Sequence, residues 1–143
     1  MPSLLLSGPA GAGKSGIARE ELAARDSPAV AADFQSLVVA MLLLERQADG
    51  RYPVRPEWIL PLAEYTRLTV ISTARNREID VIATNSDGDP DRRAFLLGRL
   101  GEGAVERVID PGRDVVAARL TDPATGALDP QCDAAIARWY GRL

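Results

Sequence analysis

The chain has no histidine, a single cysteine and few aromatic residues, 5% of its 143 positions. Without histidine there is no imidazole general base and no zinc site with histidine ligands. The lone Cys132 excludes an intrachain disulfide and cannot make a structural zinc site by itself. Long apolar runs are missing too. The longest strictly apolar stretch, Leu37 to Leu44, is far too short to cross a bilayer. The N-terminus enters an apolar stretch and a glycine-rich loop at once, which is not the pattern of a signal peptide. The expected location is therefore cytoplasmic, with no membrane partner. A basic tail is also lacking. Seventeen Lys and Arg stand against 20 Asp and Glu, for a formal charge of −3, so duplex nucleic acid is not the expected partner. A local arginine cluster is still sufficient to hold one phosphate, and nearly all the basic residues are arginine. The apolar fraction of 46% and charged fraction of 26% are ordinary for a globular chain. The length suits one domain over 1–143 with a single core.

What is present starts at the N-terminus. Leu4-Leu5-Leu6-Ser7 reads as a short buried strand. It runs into Gly8-Pro9-Ala10-Gly11-Ala12-Gly13-Lys14-Ser15, which fills the pattern G-x-x-x-x-G-K-[ST]. A helical pattern follows from Ser15 to Arg25. Strand, glycine loop and helix together make this a phosphate-binding loop for ATP or another nucleoside triphosphate. Glycines let the backbone wrap around phosphate oxygens, and successive N–H groups point inward at them. The helix N-terminus adds partial positive charge. Lys14 is expected to reach the β- and γ-phosphates, and Ser15 to join the shell of a Mg²⁺ ion.

Further along, Ala29–Ala32 reads as a second strand ending at Asp33, and Phe34–Gln47 as a helix with a broad apolar face. That breadth marks either a helix covered on most sides or a surface for a protein partner or a second copy, through residues 37–44. Residues 49–56 are turn-rich and carry Arg51, Tyr52 and Arg55, either as a substrate-side loop or as a surface crossover. Trp58–Arg77 reads as one helix with Leu62, Tyr65, Leu68, Thr69 and Ser72 recurring at helical spacing. Glu78–Thr84 is a third strand leading into the polar turn Asn85–Asp89. Asp89-Pro90-Asp91 opens a helix to Leu100. Ala104–Ile109 is a fourth strand, Arg113–Leu120 a short helix, and 121–128 a lid-like loop. Asp129-Pro130 opens the last helix, with Cys132, Ile136, Trp139 and Tyr140 on one side and Leu143 near the same face. The alternation predicts an α/β chain of three layers, the P-loop NTPase fold. Its sheet is short and mostly parallel, with helices on both faces and no fifth strand after the loop.

Ligands in such sheets bind beyond the carboxyl ends of the strands. The loop at Gly8–Ser15, Asp33, Asn85 with Asp87, and Asp110 all fall there. Asp33 suits either a base toward a substrate hydroxyl or an N-cap for the next helix, two roles that one carboxylate rotamer does not easily share. Asp33 or Asp87 is the candidate second acid near the Mg²⁺ ion, since Ala83 stands where an acid is expected; a turn role is open for Asp87. Arg119 or Arg138 would clamp the nucleotide or stabilise the transferring group, and Arg113 flanks the same helix. Arg92 and Arg93 either contact an acceptor phosphate or occupy the first turns of their helix.

These residues resemble the P-loop kinase superfamily, in the branch near polynucleotide 5′-kinases, zeta-toxin-like kinases and small-molecule kinases. Small bacterial and phage proteins grouped only as AAA family ATPases are similar. The likeness rests on Gly8–Ser15, on Ala32-Asp33, and on Val81–Asn85 followed by Asp89-Pro90-Asp91-Arg92-Arg93. It extends to Val108-Ile109-Asp110-Pro111 leading to Arg119, and to Leu128-Asp129-Pro130 with Ala135–Tyr140. The resemblance implies an ATP- and Mg²⁺-dependent kinase acting on a hydroxyl acceptor: a nucleoside, a 5′-hydroxyl nucleic-acid end or a sugar-like molecule. It makes Asp33 the general base, Lys14 and Arg119 catalytic, and Asn85, Arg92 and Arg93 acceptor-side. Two departures stand out: Ala83 replaces the family's acid, and 121–128 carries none of the usual lid arginines. The alternative is a non-kinase ATP-binding protein or weak ATPase acting as an accessory factor.

Overall fold

The computed structural model describes residues 2–141, so the placement expected for Leu143 lies outside the described residues. Among them, four parallel strands form one sheet in the order β2-β3-β1-β4. These are β1 (Leu4–Ser7), β2 (Ala29–Ala32), β3 (Asp80–Asn85) and β4 (Val105–Val108). The central pair carries the apolar runs that a parallel strand covered on both faces needs. Leu4, Leu5, Leu6, Val81, Ile82 and Ala83 are all buried. Leu6 pairs with Thr84 and Ser7 with Asn85, while Ala32 pairs with Ala83. The register therefore brings Ser7, Asp33 and Thr84-Asn85 to one end of the sheet.

The pleat sorts side chains into two layers. Leu5, Ala32, Val81 and Ala83 pack against Ile71 and Ala74 of α3 (Ile59–Asn76) and Leu96 and Leu100 of α4 (Pro90–Leu100). Leu4, Leu6 and Ile82 face Ala18 of α1 (Lys14–Ala23) on the other side. A third cluster joins Val38 of α2 (Phe34–Leu42) to Ile59 and Ala63 of α3. After β4 the chain returns through α5 (Arg113–Leu120), a turn pinned by a bridge between Thr121 and Leu128, and α6 (Pro130–Tyr140).

Two expectations are corrected here. The helix expected to reach Gln47 stops at Leu42. Leu43 takes a left-handed conformation at φ 51° and stands 84% exposed, while Leu44 turns back to pack on the α2–α3 cluster. A helix continued to Gln47 would have carried Leu44 away from that cluster; the turn exposes Leu43 instead, at a backbone cost of about 1–2 kcal/mol. In α3 the buried stripe is Ile59, Ala63, Arg67, Ile71 and Ala74, not Leu62, Tyr65 and Thr69. The small alanines let the helix lie close to its neighbours, which leaves Leu62 and Tyr65 facing outward at 50% and 73% exposure.

Candidate functional site

The loop Gly8–Ser15 joins β1 to α1. Its first glycine is required by space: a Cβ there would lie 2.1 Å from the Ile109 carbonyl oxygen. Gly13 is the N-cap of α1 at φ 90° and ψ 20°, a left-handed conformation that disfavours any side chain. No side chain caps the helix at Gly13, so its first amide N–H groups are open to an anion. Lys14, the only lysine of the chain, is 7% exposed. Its Nζ donates to the carbonyls of Gly8 and Pro9, each at 2.7 Å. Burial pushes its pKa down to about 8, against the pull of the Asp33 charge.

Asp33 is the hub of the site and is 4% exposed. Its Oδ1 accepts from Thr84 Oγ1 at 2.7 Å and from Ser15 Oγ at 3.1 Å. Its Oδ2 accepts from Ser15 Oγ at 3.0 Å, Ser36 N at 3.0 Å and Ser36 Oγ at 2.5 Å. One rotamer thus caps α2, the second of the two roles the sequence offered for this carboxylate, and also holds the phosphate-loop serine. The pleat also explains Ala83. Its side chain faces the α3–α4 layer, where an acid would be buried in hydrocarbon. Thr84 is the strand-end residue that faces α1, and it gives its hydroxyl to Asp33.

Arg67 was not singled out by sequence reading. It is 4% exposed, donates to the Thr84 carbonyl and pairs with Glu64 at 2.8 Å. Burial lowers its pKa to about 10, with Asp33 pulling the other way. Glu64 also pairs with Arg92, which brings that expected acceptor-side residue into the cleft. An arginine four residues from Ala63 and four from Ile71 was the available signal. A cation within a buried helical stripe needs partners, and partners here mean a polar site.

The remaining expected residues divide. Asn85 is buried; it donates to Asp87 O at 2.8 Å and accepts from Asp87 N at 3.1 Å, so it builds the turn after β3. Asp87 lines the cleft, but its Oδ1 accepts from Asp89 N at 2.9 Å. Arg93 turns away to Glu106 of β4 at 2.6 Å, and Glu106 accepts from Ser7 Oγ at 2.8 Å. Arg119 is exposed and donates to Gly11 O at 3.0 Å, reaching the phosphate loop from α5. Arg138 lines the cleft from α6. Asp110 accepts from Tyr140 at 2.5 Å and does not line the cleft; burial, helped by that carboxylate, raises the Tyr140 pKa to about 12. The cleft measures about 1080 Å³ and also takes in Arg51, Tyr52 and Arg55 from the α2–α3 connection. Among the described residues there is no group of three or more His, Cys, Asp or Glu side chains able to hold a metal. A cation here would rest on the Ser15 hydroxyl, backed by Asp33, and on phosphate oxygens. No helix among the described residues is long and apolar enough to cross a membrane.

No family model matches the chain, and no curated protein matches it in sequence. Solved structures do match in shape. A gluconokinase from Sinorhizobium meliloti 1021 superposes with a TM-score of 0.55 at 18% identity, over 94% of this chain and 72% of that one. A chain of the Pnkp1/Rnl/Hen1 RNA repair complex gives 0.66 at 14% identity, over 97% of this chain but only 44% of its own length. A Chloroflexus aurantiacus protein provisionally assigned as a kinase gives 0.62 at 18% identity, over 96% and 76%. At these identities the likeness establishes the fold alone: a parallel α/β sheet flanked by helices.

Proposed function

We propose that the chain is a phosphotransferase that moves the γ-phosphoryl group of ATP, or of another nucleoside triphosphate, to a hydroxyl acceptor. The observation that carries this reading is the contact of Ser15 with Asp33, which joins the phosphate loop to a strand-end acid in one cleft. The open amides of α1 and the Gly8–Ser15 backbone hold the phosphates. Lys14 exchanges its two loop carbonyls for β- and γ-oxygens. A Mg²⁺ ion held by Ser15 and the phosphates would neutralise charge as it develops on the bridging oxygen. The acceptor hydroxyl lies against Asp33, which takes its proton as the new O–P bond forms and the bond to the leaving nucleoside diphosphate breaks. Arg119, already on the loop at Gly11, closes over the phosphates. The kinase neighbours support this chemistry without fixing the acceptor; a nucleoside, a 5′-hydroxyl nucleic-acid end and a sugar-like molecule all fit it.

A second reading has one observation in its favour. Leu43 and Met41 stand 84% and 39% exposed at the end of α2, a surface suited to a protein partner or a second copy. On that reading the chain is an ATP-binding accessory factor or slow ATPase. Asp33→Asn separates the two. The kinase reading expects acceptor phosphorylation to be lost while ATP binding survives; full transfer by this variant would remove Asp33 from the base role.

A further inference from the structure

The charges around the cleft are not evenly spent. Asp33 is taken up by Ser15, Ser36 and Thr84, and Glu64 by Arg67 and Arg92. The acids at the rim are committed to backbone. Asp49 accepts from Arg51 N at 2.9 Å, and Asp122 from Ala124 N at 2.8 Å. Asp129 accepts from Gln131 N at 2.7 Å, as Asp87 does from Asp89 N. On the cationic side, Lys14 sits on its loop carbonyls. That leaves Arg51, Arg55 and Arg138, which line the cleft and have no carboxylate within ion-pair distance among the described residues.

These three guanidinium groups come from two segments, Arg51 and Arg55 from the α2–α3 connection and Arg138 from α6, and line one cleft. Arg51 donates to Leu120 O at 2.7 Å, at the end of α5. Arg55 lies over the Phe34 ring at 5.5 Å, and its carbonyl accepts from Gln131 Nε2 at 3.1 Å. Burial lowers the Arg55 pKa, and the charge of Arg138, which lines the same cleft, lowers it further. Cys132 lies within electrostatic reach of Asp129 and of both Arg51 and Arg55. Like charges held together without a direct ion-pair partner repel, and an anion seated among them relieves that repulsion. A phosphate suits the arrangement, because arginine forks bind its oxygens in pairs. The site lies between the start of α2 and the α5–α6 turn, next to Asp33 in sequence through Phe34 and Gln35.

We infer that Arg51, Arg55 and Arg138 form an anion subsite separate from the phosphate loop, and that the acceptor carries a phosphate ester seated there. The second clause rests on the phosphotransferase reading; the first stands without it. Arg119 remains the arginine on the nucleotide side, and Arg138 moves to the acceptor side.

The test is a titration of wild-type protein with inorganic phosphate, followed by calorimetry, with and without saturating Mg²⁺ and β,γ-imido-ATP. Phosphate is expected to bind when the loop is already filled. Arg55→Met and Arg138→Met are each expected to weaken that binding about tenfold while imido-ATP affinity holds. Both side chains lie on the cleft surface, so thermal melts should match wild type; Arg51 is left intact because it also ties α5. Phosphate binding that vanishes once imido-ATP is present overturns the subsite, as does binding lost in Lys14→Ala but unchanged in Arg55→Met. Loss of imido-ATP affinity in the arginine variants gives the group to the nucleotide and overturns it too. Phosphate binding with no transfer to any acceptor would defeat the kinase reading alone. Transfer to an uncharged acceptor, unchanged by Arg55→Met, would overturn the acceptor's phosphate ester and leave the kinase reading standing.

Discussion

The Ser15 hydroxyl lies 3.1 and 3.0 Å from the two oxygens of Asp33, across the gap between α1 and the end of β2. On the proposed reading, the contact links the loop that holds the phosphates to the carboxylate that meets the acceptor. Asp33→Asn keeps one acceptor oxygen for Ser36 N but turns the other into a donor facing the Thr84 and Ser15 hydroxyls. We expect a stability loss of about 1–3 kcal/mol from the mismatched donor. Transfer should fall by about 10²–10⁴-fold through the lost base. Urea midpoints and steady-state kinetics measure the two effects separately.

Lys14 supplies a pH signature. Its pKa of about 8 lies below the ordinary 10.5 because burial disfavours the ammonium. A bound polyphosphate favours the ammonium, so nucleotide binding near pH 8 must take up protons. Apparent affinity should fall as pH rises above 8, approaching about tenfold per unit once most of the free protein is neutral at this site. Calorimetry at pH 8 in two buffers of different ionisation enthalpy reads the proton uptake. An affinity unchanged between pH 7.5 and 9.5 contradicts it.

Two glycines should behave in opposite ways. Gly8→Ala drives a Cβ to within 2.1 Å of the Ile109 carbonyl oxygen, so the loop or the end of β4 must move. We expect about 2–3 kcal/mol of destabilisation and weakened nucleotide binding. Gly98 lies within α4 with open space at its Cβ position, and Gly98→Ala should stabilise by about 0.5–1 kcal/mol. Denaturant unfolding of the pair decides whether space or backbone freedom governs each position.

Arg119 should matter to turnover and not to stability. It is exposed and makes one hydrogen bond, to Gly11 O. Arg119→Ala should leave the melting temperature nearly unchanged and lower kcat by about 10²-fold or more. A variant with wild-type kcat would remove the arginine from the transferring group.

The fold was legible because its signals are local. Apolar runs at Leu4–Leu6 and Val81–Ala83, the Pro90 and Pro130 helix starts, and the glycine motif all act over a few residues. The four-stranded parallel sheet, with no fifth strand among the described residues, follows from them. What could not be read depends on packing between distant segments. The stop at Leu42 reflects where α3 offers Leu44 a cluster to join, and the burial of Arg67 depends on Glu64 and the Thr84 carbonyl. Ala83 seemed a missing acid because linear spacing carries no pleat. The sheet turns Thr84, not Ala83, toward Asp33. Arg92 and Arg93 are neighbours in sequence, yet they separate to Glu64 and Glu106 on different sides of α4.

The most direct measurement of the central claim is acceptor-dependent transfer of γ-labelled phosphate from ATP, with Mg²⁺ and Lys14→Ala as control. The acceptors are nucleosides, nucleoside monophosphates, 5′-hydroxyl oligonucleotides, sugars and sugar phosphates. The account predicts a labelled acceptor formed by the wild type and absent with Lys14→Ala. Label released only as inorganic phosphate, at a rate no acceptor changes, would contradict it.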